Sequence, residues 1–168
     1  MSHITTTVHI GAHADAPNHY SPEENGIDQR DLSYYLGHTH VFDVSKASES
    51  YIQISDLPTD EIIHDKVLFK TLSFPDPNNW NSDFKGLSAE LIEYLANKDV
   101  KTVGIDTPSI DIENSKKLPA HRMIAVQDMA ILEGLVLDKV KPDSYYLIAL
   151  PLKLKDCDAS PVRAVLLK

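Results

Sequence analysis

The sequence predicts a single mixed α/β domain with a largely β core, spanning residues 1–168. Three observations carry this. A chain of 168 residues suits one domain that buries a real core. Its 42% hydrophobic and 24% charged residues are the balance of a globular protein. Short runs of β-branched and aromatic residues outnumber helical-period stretches and alternate with them irregularly.

The first element is an extended stretch. Thr5-Thr6-Thr7-Val8 favours a strand and leads into His9-Ile10-Gly11-Ala12-His13-Ala14-Asp15-Ala16-Pro17-Asn18-His19. Three histidines and an aspartate this close together offer the nitrogen and oxygen donors of a Zn²⁺ or Mn²⁺ site. On a strand, His9, Gly11, His13 and Asp15 share one face, and Gly11 leaves room there for an ion. His9 and His13 are also four apart, as on a helix, but Gly11, Pro17 and the threonine run oppose a helix. The strand is expected to enter a tight Asp-Ala-Pro turn that swings His19 back beside the ions. A histidine, with an ordinary pKa of about 6.5, suits a proton shuttle at that position.

Asp31–Gly37 reads as a short helical turn stopped by Gly37, and Thr39–Val44 as a strand. For His38 and His40 a surface or packing role is favoured over ligation. Leu57–His64 is expected to hold a short helix with Thr59 or Asp60 as N-cap. Val67–Thr71 is an apolar strand feeding a loop, Ser73–Phe84, rich in proline and asparagine. Trp80 in that loop is either part of a lid over an aromatic substrate or an anchor onto the body.

Ser88 caps a helix over Ala89–Asn97, with Leu91, Ile92 and Leu95 on its buried face. Lys101–Asp106 is a strand. Thr107 and Ser109 follow its C-terminal end, where small polar residues line α/β sites, and are candidate substrate contacts. A short helix follows His121, and Ala130-Ile131-Leu132 begins another strand. Tyr145–Leu152 and Pro161–Leu167 are expected to be two final strands, with Cys157 packed in the loop between them.

The net charge of −9 disfavours nucleic acid. The lone Cys157 excludes an internal disulfide and fits a reducing compartment, so cytoplasm is the expected location. No apolar run reaches the length of a membrane span, and no signal peptide is expected.

The pattern His-x-Gly-x-His-x-Asp-Ala-Pro-x-His resembles the signature of the metal-dependent cyclase-like hydrolases, which include bacterial kynurenine formamidases and isatin hydrolases. Gly11-Ala12-His13-Ala14-Asp15-Ala16-Pro17 followed by His19-Tyr20 is most similar to the kynurenine formamidases. Similar segments recur at Gly104–Asp111, Pro119-Ala120-His121, Leu132-Glu133-Gly134-Leu135, Ala149–Leu154 and Asp158–Ala164, so the likeness runs from residue 2 to the end.

The resemblance implies a swivelling β/β/α fold and brings in His121 and Glu133 to complete a two-ion centre. His9, His13 and Asp15 would hold one Zn²⁺; Asp15, His121 and Glu133 would hold a second. It implies hydrolysis of N-formyl-L-kynurenine to L-kynurenine and formate by an activated water, in a homodimer. Isatin or another cyclic amide is the alternative substrate. The family carries further strands ahead of its motif, so this chain is expected to lack them, and an inactive metal-binding protein is the second alternative.

Overall fold

Four strands set the centre of the fold. In the computed structural model, which describes residues 1–59 and 61–168, they are β2 (Leu36–Asp43), β4 (Lys66–Lys70), β6 (Thr102–Ile105) and β7 (Ala130–Glu133). They pair side by side in parallel. Parallel strands need cover on both faces, which is why Val67-Leu68-Phe69, Val103-Gly104-Ile105 and Ala130-Ile131-Leu132 are buried runs that do not alternate, while β2 is apolar only at Leu36, Val41 and Phe42. Val67, Phe69, Val103, Ile105 and Ile131 point into one cluster, and Val41, Leu68 and Leu132 into the other.

Two helices cover the first face. Ser88 Oγ accepts the Leu91 backbone N–H at 3.1 Å and starts α2 (Ala89–Ala96) as expected. Leu91, Ile92 and Leu95 are fully buried there, each worth roughly 1.5–3 kcal/mol in apolar transfer. The other helix, α3 (Pro119–Val126), includes His121 in its first turn instead of following it. Both pack on the cluster of Phe69 and Ile105. The result is the mixed α/β domain with a largely β core that the sequence predicts.

The remaining strands extend the sheet antiparallel on both sides. On one side, β8 (Ser144–Ile148) pairs with β2, and β10 (Val165–Leu167) with β8. On the other, β1 (His13–Asp15) lies between β7 and β9 (Ala159–Pro161). The order is β10-β8-β2-β4-β6-β7-β1-β9. A flat sheet of eight strands would separate its edges by about 34 Å. Yet Pro161 and Val165, on the two edge strands, are joined by a span reaching at most about 14 Å. The sheet therefore curls until its edges approach, carrying the chain's last segment around to its first. A separate small pair, β3 (Tyr51–Ile52) with β5 (Gly86–Leu87), completes the set.

Several expected elements differ. The strand through His9 begins only at His13; residues 8–12 form bends, with Gly11 left-handed at φ +58°. Gly11 thus serves the turn, where only glycine is unstrained, instead of leaving space on a strand face. Pro17 opens a one-turn helix, α1 (Pro17–Tyr20), because the first helical position needs no N–H. Gly37 does not stop the turn over Leu32–Tyr35 but lies inside β2. No helix forms over residues 61–64; Asp60 lies outside the described residues. Thr59 Oγ1 accepts only the Glu61 N–H, and so short a stretch does not offset helix nucleation. Of the expected strand Pro161–Leu167, only Val165–Leu167 forms one, β10; Pro161 ends β9 on the opposite edge.

Candidate metal centre

The site is built where β1 meets β7. His13 and Glu133 are direct partners across this antiparallel pair, so their side chains share a face. Asp15, two residues on, shares it as well. Ala14 between them turns to the opposite face and is buried in the second cluster. His13, Asp15 and Glu133 are all buried. His13 Nε2 lies 3.4 Å from Asp15 Oδ1 and 3.3 Å from Glu133 Oε2.

His121 reaches the same point from α3. Its Nε2 lies 3.6 Å from Asp15 Oδ2 and 3.5 Å from Glu133 Oε1. The helix has no side-chain cap of its own, since Leu118 stands at that position. Asp111 takes the role from a distance: it accepts the backbone N–H groups of Ala120 and His121 at 3.3 and 3.1 Å. The same carboxylate accepts His121 Nδ1–H at 2.8 Å. One side chain therefore fixes both the helix start and the ring.

His9 returns over the site from the Gly11 bend, with Nδ1 3.1 Å from Asp15 Oδ1. His19, on α1, sits beside it with ring centroids 4.3 Å apart and the rings tilted by 43°. All six residues expected near the ions, His9, His13, Asp15, His19, His121 and Glu133, are thus brought together. They do not share one strand face; β1, β7, α1, α3 and a bend each contribute.

Hydrogen-bond chemistry sets what this cluster can bind. A carbonyl only accepts, so the 2.9 Å contact of His13 Nδ1 with the Gly11 carbonyl means that Nδ1–H donates. By the same logic His121 Nδ1 donates to Asp111. The inward Nε2 atoms of neutral His13 and His121 are then lone pairs aimed at carboxylates. His13 Nε2 and both oxygens of Asp15 are buried without a well-directed hydrogen bond among the described residues. In that state acceptors converge on acceptors, which protons on the rings or a metal cation between them would relieve, and burying Asp15 otherwise costs several kcal/mol. Two donor groups fit one, His13–Asp15–Glu133 and His9–Asp15–His19, and Asp15 belongs to both.

The charges respond accordingly. Burial pushes the Asp15 carboxyl up, but His121 and His9 outweigh it and hold it well below the usual carboxylate range. The Asp15 carboxylate pushes His9 up to about 9 against burial, and Asp158 adds to it. Burial lowers His121, yet Asp111, Asp15 and Glu133 raise it to about 11. His13 is likewise raised, Glu133 overcoming burial. The site attracts positive charge strongly, and protons compete for the same lone pairs as a metal.

A cleft of about 370 Å³ opens onto His9 and His13, walled by Leu72, Phe74, Trp80, Pro108 and Val136. Trp80 is held by edge contacts with Phe74 and Phe84 and donates Nε1–H to Glu113 at 2.7 Å. It is therefore both anchored and part of the cleft wall. Thr107 is fully buried and donates its hydroxyl to the Ser109 carbonyl. The Ser109 hydroxyl accepts the Asp111 N–H. Of that segment Pro108 lines the cleft. His38, His40 and His64 gather elsewhere, around Ser144 and Tyr146. Sequence reasoning missed Asp111 and Asp158 as partners of the site histidines, because neither is near them in a recognisable spacing.

The profile of the Cyclase family matches residues 2–112. The kynurenine formamidase of Erythrobacter litoralis (strain HTCC2594) is 43% identical over 99% of this chain and 76% of its own length. The chain belongs to the cyclase family. A second family relative, the kynurenine formamidase of Bordetella avium (strain 197N), is 41% identical over 99% of this chain and 79% of that protein. Among solved structures, one described as a potential metal-dependent hydrolase with cyclase activity is 31% identical. It covers 98% of this cyclase-family chain and 81% of its own, with a TM-score of 0.89.

Proposed function

We propose that the protein is a metal-dependent amidohydrolase that cleaves N-formyl-L-kynurenine to L-kynurenine and formate. The observation that carries this is Asp15: a buried carboxylate with both oxygens unbonded, ringed by His9, His13 and His121, beneath an aromatic-walled cleft. The kynurenine formamidase relatives supply the substrate class.

In this reading His9, His13 and Asp15 would hold one Zn²⁺, and Asp15, His121 and Glu133 a second; Mn²⁺ would suit the same donors next best. Bound there, the ions supply a Lewis acid for the formyl carbonyl and a nucleophile from water at neutral pH. Asp15 and Glu133 neutralise the ions. Phe74 and Trp80 flank the aryl ring and exclude water, and Thr107 and Ser109 shape the segment that presents Pro108. His19 stands at the rim, with its side chain one-third exposed. It takes a proton from the attacking water and returns it to the departing aniline nitrogen. A cytoplasmic homodimer without membrane or nucleic-acid partners completes the reading; among the described residues no helix is long and apolar enough to cross a membrane.

The test is turnover of N-formylkynurenine by zinc-loaded protein, with and without a chelator. Chelator-sensitive release of formate is expected. Turnover of isatin in its place reassigns the substrate, and a metal-loaded protein inert towards every amide leaves only a metal-binding role.

A further inference from the structure

His9 and His19 each turn a ring nitrogen to a single atom, Oδ2 of Asp158. The distance is 3.2 Å from His9 Nε2 and 3.2 Å from His19 Nδ1. An ionised carboxylate only accepts, and one oxygen has lone pairs for two donors, so both rings donate N–H to it. Each ring then has one remaining nitrogen whose role is decided. For His9 it is Nδ1, which faces Asp15 Oδ1 at 3.1 Å. For His19 it is Nε2, which is a lone pair in the neutral ring. Asp158 is the sole hydrogen-bonding partner of the His19 ring among the described residues.

The mount of Asp158 is firm. Its carbonyl accepts the Ala16 N–H at 2.9 Å, and the next residue, Ala159, pairs with Asp15 across β1 and β9. A carboxylate from the far end of the chain is thereby registered against the start of the metal motif. We propose that Asp158 is a positioning residue that fixes the ring tautomers of His9 and His19, making His9 Nδ1 a metal donor and His19 Nε2 the proton acceptor. The inference rests on the metal-hydrolase reading above and names the group that sets up its two partly exposed histidines. A carboxylate that orients a ligand histidine from behind is worth roughly 10- to 100-fold in metal affinity or activity.

The test uses full-length protein with Asp158→Ala, Asp158→Asn and Asp158→Glu. Zinc affinity is read by competition with a chromogenic chelator. Turnover of N-formylkynurenine is resolved into kcat and KM, and ring tautomers are read from imidazole ¹⁵N shifts of the zinc-loaded protein. Asp158→Ala and Asp158→Asn are expected to lower zinc affinity and kcat each by about 10- to 100-fold, with KM little changed. The His19 nitrogens should lose the Nδ1–H signature, and Asp158→Glu should restore part of all three. Unchanged affinity and kcat overturn the proposal, and so does a loss of activity with the His19 signature intact. If wild-type protein binds zinc but hydrolyses no formamide, the enzyme reading fails separately, while affinity and ¹⁵N shifts still judge Asp158.

Discussion

His13 Nε2 and Glu133 Oε2 face each other at 3.3 Å across β1 and β7, two residues 120 positions apart that register as direct cross-strand partners. Glu133 also accepts the Ile110 N–H at 2.7 Å through its other oxygen. Glu133→Gln retains that bond and the shape but removes the charge. It is expected to weaken zinc binding by about tenfold or more, measured as chelator-competed affinity, with little loss of fold by circular dichroism.

Asp15 and His19 should separate metal binding from proton transfer. Asp15 lies in both donor groups, so Asp15→Ala is expected to lose metal and activity together. His19→Ala should keep its metal and lose roughly 10²–10⁴ in turnover. Metal analysis of dialysed variants beside their kcat values checks both; full metal occupancy in Asp15→Ala would refute its place in both donor groups.

In metal-free protein, His9 and His121 titrate at about 9 and about 11, above the ordinary histidine value. The folded state then holds protons that the unfolded state has released. Their stabilisation is fully present below about 6.5 and is lost as pH rises through about 9 and on towards 11. The Tm of chelated protein is expected to fall from neutral pH through that window. Zinc takes the place of those protons, so loaded protein should show a flatter profile. A chelated Tm that rises across this range contradicts the assignment.

Gly134 holds the bend that delivers His9. Its φ is +63°, and a Cβ there would lie 2.2 Å from the Gly11 carbonyl oxygen, the acceptor of His13 Nδ1–H. Gly134→Ala is expected to cost about 1–3 kcal/mol in stability and to weaken metal binding as well. Denaturant unfolding and metal affinity measure the two effects.

Trp80→Ala removes one aromatic wall of the cleft without touching the metal donors. KM for N-formylkynurenine should rise roughly 2- to 10-fold, the worth of one aromatic contact, with zinc affinity unchanged. Steady-state kinetics with metal analysis decides it.

The sequence by itself determined the local chemistry: donor types packed into residues 9–19, an amphipathic helix announced by Ser88, and apolar strands such as 67–71. These are legible because residue type and short-range period act within a few residues. It did not determine that His9 leaves the strand, since a left-handed Gly11 and a β1 of only three residues follow from docking against Gly134 and Glu133. Nor did it show Asp111 behind His121 or Asp158 behind His9 and His19. Those pairings arise from a sheet curled until its edges approach, and from strand register that sets side chains 10 to 149 residues apart within hydrogen-bonding distance. Sequence spacing carries no record of contacts made by tertiary closure, so only the folded chain decides which carboxylate orients which imidazole.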